Sequence, residues 1–450
     1  MVVGSAIPWA VGSTEFFDVA VGNPPFVRYQ FVRDEDRISI QRLADRLGIS
    51  LAGVANLWIP ILLGALSRLR PGGVLAFIIP TECFTGISAG AVRQWLSCQV
   101  EHLRVDLFPP GSFPNVLQEV MVLSGMRRQV DGMYQPSLRV HQHEAERGAR
   151  AWSYPIQSET GNWTRYLLTP MQLDALHEAA ALPVVKRLNE VAKFEVATVT
   201  GANEYFCIDR RTARNYGLDQ WTVPLLPKIR HARGLRYRKE DHQETLDSGA
   251  KGMLLHFSME LPAPFDFKLS RLYLELGRHE GLPDRYKCRI REPWYRIPFV
   301  RPERLMLSKR SHRFPRVVLN EAGVFTTDTI YRGRLMAPHQ EREADFTAGF
   351  HNSLTLLTAE LEGRSFGGGV LELVPSEISR LSVPFIHGFG AQLKHLDGLS
   401  RSSGNLDGSE NLIDETDGLI LCADTGVSPR LMDDLRDARS VLLRRRLDRN

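Results

Sequence analysis

The sequence predicts an α/β fold: the second half of a doubly wound, Rossmann-like sheet, followed by a mixed α+β region. Three observations carry this. An apolar strand at 17–22 runs directly into Asn23-Pro24-Pro25-Phe26. A helix-spaced apolar segment over 55–70 stops at Pro71-Gly72-Gly73 and gives way to Val74–Ile79, which has no polar residue. Such a run is expected of a parallel strand buried on both faces. Helix and strand patterns then alternate as far as Ser124, the order of an α/β sheet.

The first element ends in a tetrapeptide with a chemistry of its own. Asn23 offers a side-chain carbonyl acceptor, and Pro24 and Pro25 lack N–H groups and fix φ, which aims the Pro24 carbonyl rigidly. Two oxygens facing an exocyclic NH₂ leave its lone pair free for alkylation, and Phe26 supplies a face on which a planar ring can stack. The same four residues also suit a plain Pro-Pro turn after a buried strand, and taken alone they leave both readings open.

Later elements follow from periodicity. Leu57, Ile61, Leu62, Ala65, Leu66 and Leu69 recur at helical spacing before the Pro-Gly-Gly stop. A second helix is expected over Ala89–Cys98, a strand near Leu103–Phe108, and another over Glu119–Ser124 after the turn at 109–111. Residues 129–165 are polar and broken by Pro and Gly, an excursion or linker with some strand, and His141-Gln142-His143 reads as a solvated loop. A helix is expected from near Met171, and Ser353–Glu362 is helix-like. Residues 396–415 are poor in hydrophobes and rich in Ser, Gly and Asp, a flexible connection. Ser428-Pro429 then opens a last helix through Leu447, with Asp433 and Asp434 early and Arg444–Arg446 late, a favourable order for the helix dipole.

Composition bounds the alternatives. With 450 residues and 43% hydrophobic content the chain can bury a large core in two domains or more. No apolar run reaches membrane-span length, and no signal-peptide pattern follows Met1. The five cysteines have no CxxC spacing and the thirteen histidines no HExxH, so neither zinc nor disulfides are expected and a reducing cytoplasm is the natural setting. A net charge of +4 says little; its distribution says more. Basic residues gather at 228–239 (Lys228, Arg230, Arg233), at 285–296 (Arg285, Lys287, Arg289) and at 301–316 (Lys309, Arg310, Arg313). Tyr237, Tyr286, Trp294, Tyr295 and Phe314 are interleaved with them. That mixture suits phosphate neutralisation with base contacts; the alternative is an ordinary charged surface.

In combination, these motifs resemble the gamma class of DNA adenine-N6 methyltransferases of restriction–modification systems. Asn23–Phe26 matches that family's catalytic loop, Asn56-Leu57-Trp58 through Pro80 its next two motifs, and Phe113-Pro114-Asn115-Val116 the turn whose aromatic meets the flipped base. Val199–Phe206, Arg291–Arg296 and Arg364–Val370 resemble stretches of its target recognition domains. The resemblance implies a methyltransferase sheet followed by a DNA target recognition domain, S-adenosylmethionine as cofactor and double-stranded DNA as partner. It implies Asn23, Pro24, Pro25 and Phe26 as catalytic, Phe26 and Phe113 as base-stacking, and Asn23, Pro25 and Ile61 as cofactor-bordering residues. Lys228, Arg230, Arg233, Lys309, Arg310 and Arg313 become DNA-binding candidates.

The expected organisation is a partial catalytic domain (1–128), a linker or excursion (129–179), a recognition domain (180–395), and a flexible segment with a C-terminal helix (396–450). The family carries an upstream cofactor half with a Gly-rich turn and two acidic residues. Here the chain begins some twenty residues before the catalytic loop, and Gly367–Gly369 lies far too late to replace that turn. Ile61 also stands where relatives often place an aromatic. One expectation is therefore a split or truncated enzyme, inactive alone and needing a separate chain for the cofactor half. Protein glutamine methylation is disfavoured by the large downstream region, and cytosine N4 methylation by Asn23 where a Ser is usual.

Overall fold

The computed structural model describes residues 4–51, 56–85, 89–109, 112–113, 119–129, 134–144, 148–156, 162–257, 263–366, 368–403, 410–423 and 425–447. The chain divides into two compact units. One holds residues 1–173 with Arg364–Gly369 and Arg444–Asn450; the other holds Asp174–Gly363 and Val370–Leu443.

The first unit runs α1 (Ala6–Gly12), β1 (Phe17–Gly22), α2 (Asp34–Leu47), α3 (Trp58–Ser67), β2 (Leu69–Pro80), α4 (Glu82–Thr85), α5 (Gly90–Gln99), β3 (Val100–Leu107), β4 (Val120–Arg127), β5 (Ser137–Glu144) and β6 (Gly148–Pro155). The strands form one sheet in the order β1-β2-β4-β3-β5-β6. β1 pairs parallel with β2, and β3 with β5, whereas β4 is antiparallel to both its neighbours and β6 to β5. Four strands thus share one direction, and their carboxyl ends lie along one edge.

Side chains alternate across this sheet as strand geometry requires. Phe77, Leu123, Val105 and Val140 stand in register and are buried. The row Val21, Ala76, Ser124, Arg104, Arg139 and Ser153 faces the other way and is exposed or half-buried. This corrects the expectation of a β2 strand covered on both faces: Val74 is exposed, and Ala76 and Ile78 are half-buried. Pro71-Gly72-Gly73 also lies inside β2, not after a helix; α3 has already closed at Ser67. Gly72 takes φ +83 there, where the β1–β2 register shifts.

The second unit begins within α6 (Pro170–Ala180) and continues through β7 (Val185–Arg187), α7 (Leu188–Val191), β8 (Ala192–Glu195), α8 (Asn203–Phe206), β9 (Cys207–Ile208), α9 (Arg210–Asn215), β10 (Thr222–Pro224), β11 (Arg236–Tyr237), α10 (Lys239–Asp247), β12 (Met253–Leu255), α11 (Lys268–His279) and α12 (Tyr286–Arg289). Then come β13 (Leu305–Ser308), β14 (Arg310–Ser311), β15 (Val317–Asn320), β16 (Ile330–Leu335), α13 (Glu343–Gly349), α14 (Ser353–Glu362), β17 (Arg364–Phe366, assigned to the first unit), β18 (Val370–Glu372), α15 (Pro375–Ile378), β19 (Ser382–Pro384), α16 (Leu393–Ser402), α17 (Glu410–Cys422) and α18 (Pro429–Leu447).

Two cores organise this unit. The sheet β11-β15-β13-β16-β8 packs Phe194, Leu305, Leu307, Val317 and Tyr331 against Phe346, Phe350 and Leu396. Gly333 leaves room for the Phe194 ring, which a Cβ there would meet at 2.3 Å. The sheet β10-β12-β9 backs an aromatic core of Tyr205, Phe206, Trp221, Tyr273, Trp294 and Tyr295. The segment 396–402, expected to be flexible, is the second part of α16, because Leu396, Asp397 and Ser400 are all buried. The Asp397 carboxylate accepts from the Leu235 and Arg236 backbone N–H groups at 2.8 and 3.0 Å and from the Arg238 guanidinium at 2.6 Å. Arg401 extends the clamp to Asp241 at 2.5 Å.

Candidate active site and nucleic-acid face

The carboxyl edge of the first sheet collects the chemistry-bearing residues, as open α/β sheets generally do. β1 ends at Gly22, packed so closely on Phe77 that a Cβ would meet the ring at 2.6 Å. The chain then leaves the sheet as Asn23–Val27, without regular structure. Pro24 is buried, Asn23 and Pro25 are exposed, and Phe26 is half-buried. The Val27 carbonyl accepts from Leu57 N–H at 2.8 Å, and Arg28 forms an isolated antiparallel bridge with Asn56, so the loop is tied to the residues before α3. The buried Pro24 and two backbone ties make Asn23 a polar tip on a stiff support.

Ile61 lies on α3, half-buried against a cluster of Ile7, Val32 and Ile40, beside Tyr29 and Leu57. Its packing is with the residues just downstream of the loop. Glu82, the first residue of α4, has its carboxyl pushed above its ordinary value by burial, which the positive charge of Arg28 partly offsets. Thr81 donates to Glu119 Oε2 at 2.8 Å and joins the end of β2 to the start of β4.

A second constellation stands at the end of β3. Arg104 donates two hydrogen bonds to Asp106, at 2.7 and 2.5 Å, and His143 Nε2 lies 2.8 Å from the same carboxylate. Burial alone would raise the Asp106 pKa, but the Arg104 and His143 hydrogen bonds outweigh it and hold the carboxyl below its ordinary value. The His143 ring stacks flat on Phe108, with centroids 5.0 Å apart and planes 6° apart. Phe108 in turn meets Phe113 edge-on at 5.3 Å and 87°. Phe113 is half-buried, and its neighbours at 114–116 lie outside the described residues.

The loops carrying Phe26 and Phe113 thus leave the same edge, with β2 and β4 between their strands. Three interstrand steps separate β1 from β3 by about 14 Å. Glu82, Thr81, Glu119 and the Arg104–Asp106–His143 group escaped the sequence reading. His141-Gln142-His143, expected as a solvated loop, belongs to β5. The alternation of buried Leu138 and Val140 with polar Arg139, His141 and His143 was the available signal.

The basic candidates lie in the second unit and differ sharply. Lys309 and Arg310 both pair with Glu372, Lys309 at 4.0 Å, and Arg313 pairs with Glu410 at 3.6 Å. Arg233 is exposed and sits 3.9 Å from Glu244. Lys228 and Arg230 are exposed and form no ion pair among the described residues. Trp294 and Tyr295 are core residues, packed with Tyr205 and Phe257. Two of the motif-like stretches meet here, since Arg291 donates to the carbonyls of Thr200 and Val199 at 2.6 and 2.7 Å. Among the described residues no helix is long and apolar enough to cross a membrane.

Comparison with known proteins supplies the next observation. Residues 160–421 match the family described as type II methyltransferase M.Eco57I, C-terminal domain, and residues 6–106 match Eco57I restriction-modification methylase. The type II methyltransferase M.AccI of Acinetobacter calcoaceticus is 22% identical over 376 residues, covering 81% of this chain and 68% of its own length. Among solved structures, the type IIG restriction endonuclease BpuSI aligns with 99% of this chain and 56% of its own at 14% identity and a TM-score of 0.40. The type IIL restriction-modification enzyme MmeI, solved in complex with DNA, aligns with 96% of this chain and 54% of its own, at 12% identity and a TM-score of 0.45. The chain therefore spans little more than half the length of these two solved relatives.

Proposed function

Because the chain belongs to the family of Eco57I-type restriction-modification methyltransferases, we propose that it methylates adenine N6 in double-stranded DNA. The observation that carries this reading is the loop at the carboxyl end of β1, with Pro24 buried and Asn23 exposed beyond it. The donor would be S-adenosylmethionine, which when bound supplies an electrophilic methyl group. Asn23, Pro25 and Ile61 would border it; the first two are exposed at the end of β1, and Ile61 is half-buried on α3.

The target adenine must leave the duplex, since its amino group is otherwise paired and stacked. The Asn23 side-chain carbonyl and the Pro24 backbone carbonyl then accept its two N–H hydrogens. That leaves the nitrogen lone pair pointing away from both oxygens, toward the methyl donor. Phe26 stacks on the extruded base and Phe113 packs against its edge or opposite face. The nitrogen gives up its proton once the new N–C bond has formed, so no strong base is needed.

The test is Asn23→Ala, assayed for methyl incorporation into DNA in whichever assembly is active. A preorganised polar group of this kind contributes about 2.7–4 kcal/mol to the transition state, or roughly 10²–10³ in rate. The variant should lose methylation and keep DNA affinity within a few fold. Near-normal turnover would reduce Asn23–Phe26 to a structural turn.

A second reading has one observation in its favour. Among the described residues β1 pairs only with β2, and its Val19 and Val21 are 58% and 75% exposed. In that reading the same chemistry requires a further polypeptide along this edge, and the isolated chain binds S-adenosylmethionine weakly. Calorimetry decides it: micromolar affinity without any partner removes the need for a second chain.

A further inference from the structure

A face distinct from the three basic clusters' paired members stands out around α12. Cys288 is fully buried and anchors this short helix in the aromatic core. Arg291 pins the following turn to the Val199 and Thr200 carbonyls. Gly201, at φ +82, lets the loop approach so closely that a Cβ there would meet Lys287 Cβ at 2.7 Å. These three ties hold the backbone of 285–291 rigidly.

That backbone presents exposed cations and exposed apolar side chains together. Arg285, Lys287 and Arg289 are exposed and form no ion pair among the described residues, although Asp284 and Glu292 flank them. Several other cations of this unit are neutralised within the chain, Arg236 by Glu321, Arg332 and Arg334 by Glu195 and Glu303, Arg310 by Glu372, whereas Lys228 and Arg230 share the unpaired state of Arg285, Lys287 and Arg289. Beside these cations stand Tyr286 and Ile290, 64% and 63% exposed and four residues apart, so that they share one side. Lys287 Nζ lies 5.2 Å from the centre of the Tyr286 ring. Large apolar groups are costly to leave in water, and a cluster of unpaired cations calls for a polyanion.

We propose that α12 and its flanks form a DNA-docking wedge, in which Arg285, Lys287 and Arg289 neutralise backbone phosphates while Tyr286 and Ile290 press into the base stack. The proposal rests on the reading of duplex DNA as the substrate, and it moves the principal contact away from Lys309, Arg310 and Arg313. Apolar side chains set between cations are the arrangement by which proteins unstack and bend a duplex. The rigid support matters, because a wedge that yields cannot bend DNA.

The experiment uses the full chain and a mixed-sequence DNA duplex, followed by fluorescence anisotropy across a range of salt, with end-to-end energy transfer reporting the bend. The triple variant Arg285→Ala/Lys287→Ala/Arg289→Ala should flatten the logarithmic salt dependence by about 2.7, from about 0.9 per lost phosphate contact. Tyr286→Ala/Ile290→Ala should keep the slope, weaken binding on the order of ten-fold and reduce the bend. All five side chains are exposed, and melting curves matching the parent verify the fold. If the parent binds duplex DNA and both variants behave like it, the wedge is overturned and the substrate reading stands. If the parent binds single-stranded RNA in preference to the duplex, or no duplex at all, the substrate reading falls and the wedge with it.

Discussion

His351 is fully buried, and its Nε2 accepts the Val317 backbone N–H at 3.2 Å, an arrangement that requires a neutral ring. Burial pushes its pKa down to about 3, and the nearby Arg316 charge adds to this. The unfolded chain, with an ordinary value of 6.5, takes up a proton that the folded chain refuses. Stability from this group is therefore present in full above pH 6.5 and lost as pH falls from there toward 3. The loss is at most about 1.4 kcal/mol per pH unit. Urea midpoints at pH 7 and 5 should separate for the parent. The separation should shrink for His351→Gln, whose side-chain carbonyl can still accept from Val317, and the remainder belongs to the other histidines held neutral by burial, such as His231 and His256. An equal separation in parent and variant would refute the assignment. At the proposed active site, Phe26→Ala and Phe113→Ala should each weaken an extruded base by roughly 1–3 kcal/mol. Emission from 2-aminopurine at the target position reads this directly, and unchanged emission in both variants would place neither ring on the base.

Among the elements, those governed by local chemistry were legible in the sequence. α14 occupies Ser353–Glu362, and α18 starts at Pro429 with the Ser428 hydroxyl accepting from Leu431 N–H at 3.1 Å. Ser428→Ala should accordingly lower stability by about 1 kcal/mol in denaturant titrations. Elements decided by distant partners were not legible. Pro71-Gly72-Gly73 carries every local mark of a turn, yet pairing with β1 draws it into β2. β5 and β6 were expected only as some strand in a polar stretch, without bounds, because few of their residues are buried. The same divide runs through the candidate site. Asn23–Phe26 is contiguous and so was readable, whereas Asp106 and His143 meet across 37 residues that no motif spans. A close approach across β16 makes a further expectation. Gly333→Ala would drive a methyl into the Phe194 ring, an overpacking worth about 1–3 kcal/mol. A melting temperature equal to the parent's would show that the ring moves aside freely.

For the whole molecule, the edge strand β1 governs how the purified chain behaves in solution. Among the described residues one side of β1 has no strand paired to it, and that edge with its exposed valines is a template for edge-to-edge association. Val21→Lys should suppress self-association by light scattering while leaving the melting temperature near that of the parent; equal scattering from both chains would acquit this edge. The clamp on Asp397 has a consequence of another kind, in time. Its carboxylate joins residues 159–162 positions apart along the chain. Closing a loop of that length costs entropy before the contact repays it, so distant contacts tend to form after the folding barrier has been crossed. Asp397→Ala should then leave the refolding rate nearly untouched and accelerate unfolding. In stopped-flow experiments the damage would lie almost wholly in the unfolding limb, which makes this side chain a determinant of how long the native state lasts once it has formed.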